Sequence, residues 1–125
     1  MNYKVQISDA EWAIMKVIWK LEKATANEVI QRLAKERKWK PQTIQTLIRR
    51  LLNKGVLANK KRGREFVFYP ALCEEECAYR EARSFLDRVF DGELAPFVST
   101  FISQENLSKK EISELKRILE DQSNQ

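Results

Sequence analysis

Apolar residues recur at helical spacing three times in the first 55 residues, switch to alternation, and then return to helical spacing. Ala10, Ile14, Val17, Ile18 and Leu21 mark the first stripe, widened by Trp12, Met15 and Trp19. Ser8 with Glu11 three residues on is a capping box, in which each side chain satisfies an orphan amide of the first turn. The helix is expected to end between Leu21 and Ala24. Thr25 and Glu28 form a second capping box, ahead of Ala26, Val29, Ile30, Leu33 and Ala34, and this helix ends in the charged stretch Lys35 to Lys38. Pro41 suits the first position of a third helix, although Lys40 before it is a poor cap. Ile44, Leu47, Ile48 and Leu51 point one way, and Gln42, Thr43, Gln45, Thr46, Arg49, Arg50 and Asn53 the other. Gly55 reads as the left-handed glycine that follows a helix.

The period then becomes two. Val56 to Lys61, a turn at Arg62-Gly63-Arg64 and the run Glu65 to Tyr69 predict a β-hairpin, closed by Pro70. Beyond it Ala78, Ala82, Phe85, Leu86, Val89 and Phe90 predict a long helix from about Leu72 to Asp91, broken by Gly92. Leu94, Phe97, Val98, Phe101 and Ile102 form a second short stripe. A third capping box, Ser108 with Glu111, opens a last helix carrying Ile112, Leu115, Ile118 and Leu119, and Asp121 to Gln125 read as a frayed tail.

Composition and charge sharpen this order into two modules. The 125 residues carry a net charge of +5, unevenly spread. Residues 1–70 hold 16 Lys and Arg against 6 Asp and Glu, and residues 71–125 hold 7 against 12. A basic half joined to an acidic half suggests a polyanion-binding module, residues 1–70, and a separate assembly module, residues 71–125. About 55 residues in three helices rarely build a sufficient core alone, so the C-terminal stripes are expected to pack against a second copy through Phe85, Leu86, Val89, Phe90, Phe97, Phe101, Ile112, Leu115 and Leu119. The absence of an N-terminal apolar core and of any 18-residue apolar run leads to the expectation of a cytoplasmic protein.

The chain has no histidine, two cysteines, no phosphate-binding glycine loop and no nucleophile–base pair, so neither an enzyme nor a cofactor or small-molecule substrate is expected. Cys73 and Cys77 lie one turn apart without further ligands, and no metal site is expected. Three helices followed by a hairpin, with a strong positive balance, is instead the order of a winged helix-turn-helix: a mainly α fold with a small β-hairpin wing, followed by a helical dimerisation region. The third helix would enter the major groove of double-stranded DNA. Gln42, Thr43, Gln45 and Thr46 offer groups that match base edges, and Arg49 and Arg50 reach the backbone. Lys60, Lys61, Arg62 and Arg64 would lie along phosphates or in the minor groove. Thr25 and Asn27 would present the second helix's amides to a phosphate. The three tryptophans read as core or rim packing.

The run Ile7-Ser8-Asp9-Ala10-Glu11-Trp12 with Met15, Ile18 and Trp19 resembles the opening of the penicillinase-repressor family, BlaI and MecI, with the copper-responsive CopY as a relative. Thr43 to Leu51, Lys54-Gly55 and Leu107-Ser108 to Leu119 resemble it too, so the likeness runs over nearly the whole chain. It implies a homodimeric repressor of β-lactam resistance genes on an inverted-repeat operator, dimerised by its C-terminal helices. It also implies a membrane-bound sensor metalloprotease whose signal leads to cleavage within the helical region. Family members are cut between Asn and Phe. The matching bond here is Thr100–Phe101, with Thr where they have Asn. Lys40 stands where the family often has a capping Ser, and the CxCx4-5CxC box of the copper-responsive relatives has no counterpart. Two other readings remain open: a regulator of this family answering a metal or cell-envelope signal, and a winged helix used for protein–protein contact.

Overall fold

The computed structural model describes residues 6–124. Helix α1 spans Asp9–Leu21, strand β1 Ala24–Thr25, α2 Ala26–Arg37, α3 Pro41–Asn53, β2 Leu57–Arg62, β3 Glu65–Pro70, α4 Glu74–Phe90, α5 Leu94–Gln104 and α6 Lys109–Ser123. All three capping boxes form, at Ser8–Glu11, Thr25–Glu28 and Ser108–Glu111. Lys40 makes no side-chain cap, and Pro41 opens α3.

The end of α3 is a Schellman motif. The Val56 amide donates to the Leu51 carbonyl (3.2 Å) and the Gly55 amide to that of Leu52 (3.1 Å). Gly55 has φ 77°, the left-handed conformation this closure requires. Val56 and Leu51 are both fully buried, so the motif feeds the chain from α3 into the following hairpin over an apolar contact.

Strands β2 and β3 pair antiparallel from Leu57↔Pro70 to Arg62↔Glu65. The connection is thus two residues, Gly63-Arg64, one shorter than the sequence suggests. Gly63 has φ 65° and Arg64 is not left-handed, which fits the primed turn with glycine at its first central position. The sheet has a third member that no period signals: β1 pairs with β3 through Ala24↔Phe68 and Thr25↔Val67, giving the order β1-β3-β2. Two residues are too few to show alternation.

The core gathers Ile14, Met15 and Ile18 of α1, Val29 and Leu33 of α2, Ile44, Leu47, Ile48 and Leu51 of α3, and Phe68 of the sheet. Trp12, Trp19 and Trp39 pack against it as partly buried rims. Trp19 Nε1 donates to the Leu72 carbonyl at 3.0 Å, and Cys77 is buried in the same core. The start of α4 is therefore part of this first compact unit, which runs to Ser84, and a second unit runs from Phe85.

In the second unit Phe97 is the hub of an aromatic cluster, with ring centroids 5.9 Å from Phe85, 5.3 Å from Phe90 and 6.0 Å from Phe101. Helix α6 is a correction to the expected fraying at Asp121. It runs to Ser123, with the Asn124 amide bonded to the Glu120 carbonyl, because no Gly or Pro interrupts the last turns. Gln125 lies outside the described residues. No helix among them is long and apolar enough to cross a membrane.

Candidate nucleic-acid interface

The split between the two faces of α3 is complete. Ile44, Leu47, Ile48 and Leu51 are buried, whereas Gln42, Thr43, Gln45, Thr46, Arg49, Arg50 and Asn53 are exposed. Four apolar anchors on one side hold the helix down and leave its polar side to solvent. The Thr46 hydroxyl donates to the Gln42 carbonyl at 3.0 Å, so its methyl is the group left for an outside partner.

The sheet gathers the other two groups of candidate residues. Thr25, Val67 and Lys60 lie side by side across β1, β3 and β2, so the start of α2 and the wing belong to one surface. Lys60, Lys61, Arg62 and Arg64 are all exposed. The backbone hydrogen bond from Thr25 holds the Glu28 carboxyl below its ordinary pKa. Burial opposes this, and the Thr25 hydroxyl and the nearby Arg62 charge assist it. Thr25 is itself buried, with its hydroxyl accepting from the Glu28 amide at 3.2 Å. What this turn can offer an anion is backbone: by helix geometry the amides of Ala26 and Asn27 have no carbonyl one turn behind them. The Asn27 side chain is exposed.

Other exposed basic and aromatic side chains of this unit lie outside the sequence-based set. Lys38 and Lys40 are exposed in the turn between α2 and α3, flanking Trp39, over whose ring Arg37 sits at 5.5 Å. The signal was the charged run from Lys35 to Lys40, which reads equally as a helix end. Phe66 is exposed on the wing opposite Lys61.

In the second unit, Phe85, Val89, Phe101, Ile112, Leu115 and Leu119 are exposed, Phe90 and Phe97 are half-buried, and Leu86 is buried within the chain. No residue of α6 is buried. Thr100 lies inside α5, its carbonyl accepting from the Ser103 hydroxyl at 2.9 Å, and Phe101 is exposed and stacked on Phe97. Cys73 is exposed and Cys77 buried, its thiol pushed up by burial. Among the described residues no group of three or more His, Cys, Asp or Glu side chains is placed to hold a metal ion.

Three helices, an antiparallel wing and an outward polar and basic helix face define a winged helix-turn-helix protein. Solved structures of that class align with it. The DNA-binding domain of the repressor BlaI matches with a TM-score of 0.54 and 49% identity, over 61% of this chain and 93% of that one. The monomeric form of Bacillus licheniformis BlaI in complex with the blaP half-operator matches with a TM-score of 0.52 and 51% identity, over 57% and 87%. The sequence model of the family described as penicillinase repressor matches residues 7–121, and the chain belongs to that family. It is 45% identical to the penicillinase repressor of Bacillus licheniformis over 95% of this chain and 93% of that one. To the methicillin resistance regulatory protein MecI of Staphylococcus aureus it is 37% identical, over 94% and 96%.

Proposed function

We propose that this chain is a cytoplasmic transcriptional repressor that binds an inverted-repeat operator as a homodimer and controls β-lactam resistance genes. The observation that carries the reading is the exposed face of α3, polar toward its start and basic toward its end, on a family member whose relative BlaI is described in complex with a half-operator. Gln42, Thr43, Gln45 and Thr46 read bases, while Arg49, Arg50, Lys60, Lys61, Arg62 and Arg64, with the α2 amides near Thr25 and Asn27, hold phosphates. Residues 1–70 form the DNA-binding domain, extended by the Leu72–Cys77 segment that packs on its core, and the helical remainder of residues 71–125 forms the dimerisation domain. The uncovered apolar stripe of α6 and the exposed Phe85, Val89 and Phe101 support pairing of two chains, because soluble monomers seldom leave such stripes open. Pairing two recognition helices makes the second half-site encounter intramolecular.

Nothing in this mechanism requires catalysis, a metal or a small-molecule substrate. Release follows from cutting Thr100–Phe101 on a signal from a membrane-bound sensor metalloprotease, which removes α6 and part of the dimer contact. A second reading, a family regulator answering another signal, is favoured by Thr100, which occupies the position where the family resemblance implies an Asn ahead of the cut.

Footprinting of the purified chain on DNA upstream of its own gene, across a salt series, tests the proposal. Protection of two symmetric half-sites is expected, with log affinity falling by about 0.9 per neutralised phosphate per decade of salt. A flat salt response without protection overturns it in favour of a protein-binding winged helix.

A further inference from the structure

Lys54 ends the recognition helix in the basic half of the chain, where a phosphate contact would be the ordinary assignment. Its ammonium is committed elsewhere. Lys54 Nζ donates to Glu11 Oε1 at 2.6 Å and to the Gln6 carbonyl at 2.6 Å. Glu11 is only 1% exposed and belongs to the Ser8 capping box, so the same carboxylate oxygen also accepts from the Ser8 amide at 2.8 Å. Its other oxygen, Oε2, is buried without a hydrogen-bond partner among the described residues. A carboxylate this buried depends strongly on the cation that reaches it, which among the described residues is Lys54.

We propose that Lys54 and Glu11 are positioning residues for operator recognition: the pair clasps the end of α3 to the start of α1 and to the backbone at Gln6, fixing the pitch at which the α3 face meets the bases. Two features of the fold make the clasp effective. The first is its place, immediately before the Schellman turn at Gly55–Val56 from which the wing departs. The second is the contrast between the two ends of α3: Lys40 at its start makes no side-chain cap, whereas Lys54 at its far end is ion-paired to Glu11. A change in pitch alters base contacts at every position of α3 and leaves the count of phosphate-binding cations the same.

This inference rests on the operator-binding reading, and its test separates the two. The probes are the duplex that the unmodified protein selects from a random-sequence pool and a scrambled duplex of equal length. Lys54→Met, Lys54→Arg and Glu11→Gln are measured on both across a salt series, with the folded fraction of each variant determined by circular dichroism and used to correct the affinities. The expected result for Lys54→Met and Glu11→Gln is a loss of about 10- to 100-fold on the selected duplex, the equivalent of one or two base contacts, with scrambled-duplex affinity and salt slope unchanged. Lys54→Arg, which keeps a cation able to reach Glu11, restores most of the preference. A salt slope lowered by about 0.9, with equal loss on both duplexes, overturns the proposal and makes Lys54 a phosphate contact. Unchanged affinity of the folded fraction also overturns it and leaves the pair as a stability element only. Failure of the unmodified protein to enrich any sequence defeats the operator reading itself.

Discussion

The Thr46 hydroxyl donates to the Gln42 carbonyl one turn earlier, at 3.0 Å, on the exposed face of α3. A hydroxyl already bonded to its own helix is a weak reader of base edges, whereas the threonine methyl remains free to meet a thymine methyl. Thr46→Val keeps that methyl and is expected to bind the selected operator within about threefold of the unmodified chain, since it loses no base contact. Thr46→Ser keeps the hydroxyl and drops the methyl, and is expected to lose about 1 kcal/mol, confined to operators with thymine at the contacted position. Competition binding against thymine-to-uracil duplexes checks both. A tolerant Thr46→Ser with a defective Thr46→Val would assign the contact to the hydroxyl.

The proposed split between base readers and phosphate holders gives a second expectation. Gln42→Ala or Gln45→Ala should cost about 1–3 kcal/mol against one base pair and relax preference there. Lys61→Ala, on the exposed wing strand opposite Phe66, should weaken all sequences alike and lower the salt slope by about 0.9. Electrophoretic mobility shifts on a panel of single-base operator variants distinguish the two patterns. Uniform losses for the glutamines would take them out of base recognition.

Much of this arrangement is legible in the chain because strong local signals agree with the tertiary result. Each capping box starts a helix at its expected residue, and the period-3.6 stripe of α3 matches the buried set Ile44, Leu47, Ile48 and Leu51. Strand β1 escapes because two residues carry no period. The commitment of Lys54 to Glu11 escapes because 43 residues separate them and no local pattern links a helix end to a distant cap. Thr25 shows the same limit in reverse. Its identity as a cap is plain from sequence, but its burial, which leaves only backbone for a ligand, follows from pairing with Val67.

Glu11 sets an acid-stability expectation. Burial pushes its carboxyl up, but the Lys54 hydrogen bond and the Ser8 contacts outweigh it, and the net shift is below the ordinary value of 4.5. A depressed folded-state pKa contributes stability that is fully present above the unfolded value and lost as pH falls through the folded one. Glu11→Gln keeps a capping-box partner and loses the ion pair, costing about 1–3 kcal/mol near neutrality. Its stability should change less than that of the unmodified chain as pH drops below about 4.5. Urea denaturation at pH 7 and pH 3.5 tests this: a gap between the two proteins that stays constant would refute it.

The C-terminal stripes separate folding from assembly. Leu119 is 68% exposed in the single chain, so Leu119→Ala should leave monomer stability within about 0.5 kcal/mol. If it lies in the dimer contact, the same change should weaken dimerisation by about 1–2 kcal/mol. Phe97→Ala differs, because it empties the centre of the aromatic cluster and should destabilise the unit itself by about 2 kcal/mol. Sedimentation equilibrium over a concentration series, paired with urea melts, reads the two effects separately. Equal dimerisation for Leu119→Ala and the unmodified chain would remove α6 from the interface.

The proposed cleavage at Thr100–Phe101 would have to begin with an opening of α5, because the bond lies inside the helix and a protease requires extended chain. The helix is poorly anchored at its start, where Glu93 makes no side-chain cap, and Ser103 ties its hydroxyl to the Thr100 carbonyl. Ser103→Gly removes that bond and lowers helix propensity by roughly 0.5 kcal/mol, which should raise the open population about two- to threefold. Cutting by a metalloprotease that cleaves ahead of large apolar residues should accelerate by the same factor, provided opening is fast relative to cutting. An unchanged rate would mean that the bond is reached without helix opening. The fragment ending at Thr100 keeps the whole winged helix and loses α6, so it should sediment as a monomer. Its operator binding should then show about half the salt slope of the intact dimer, since one basic surface in place of two neutralises half the phosphates.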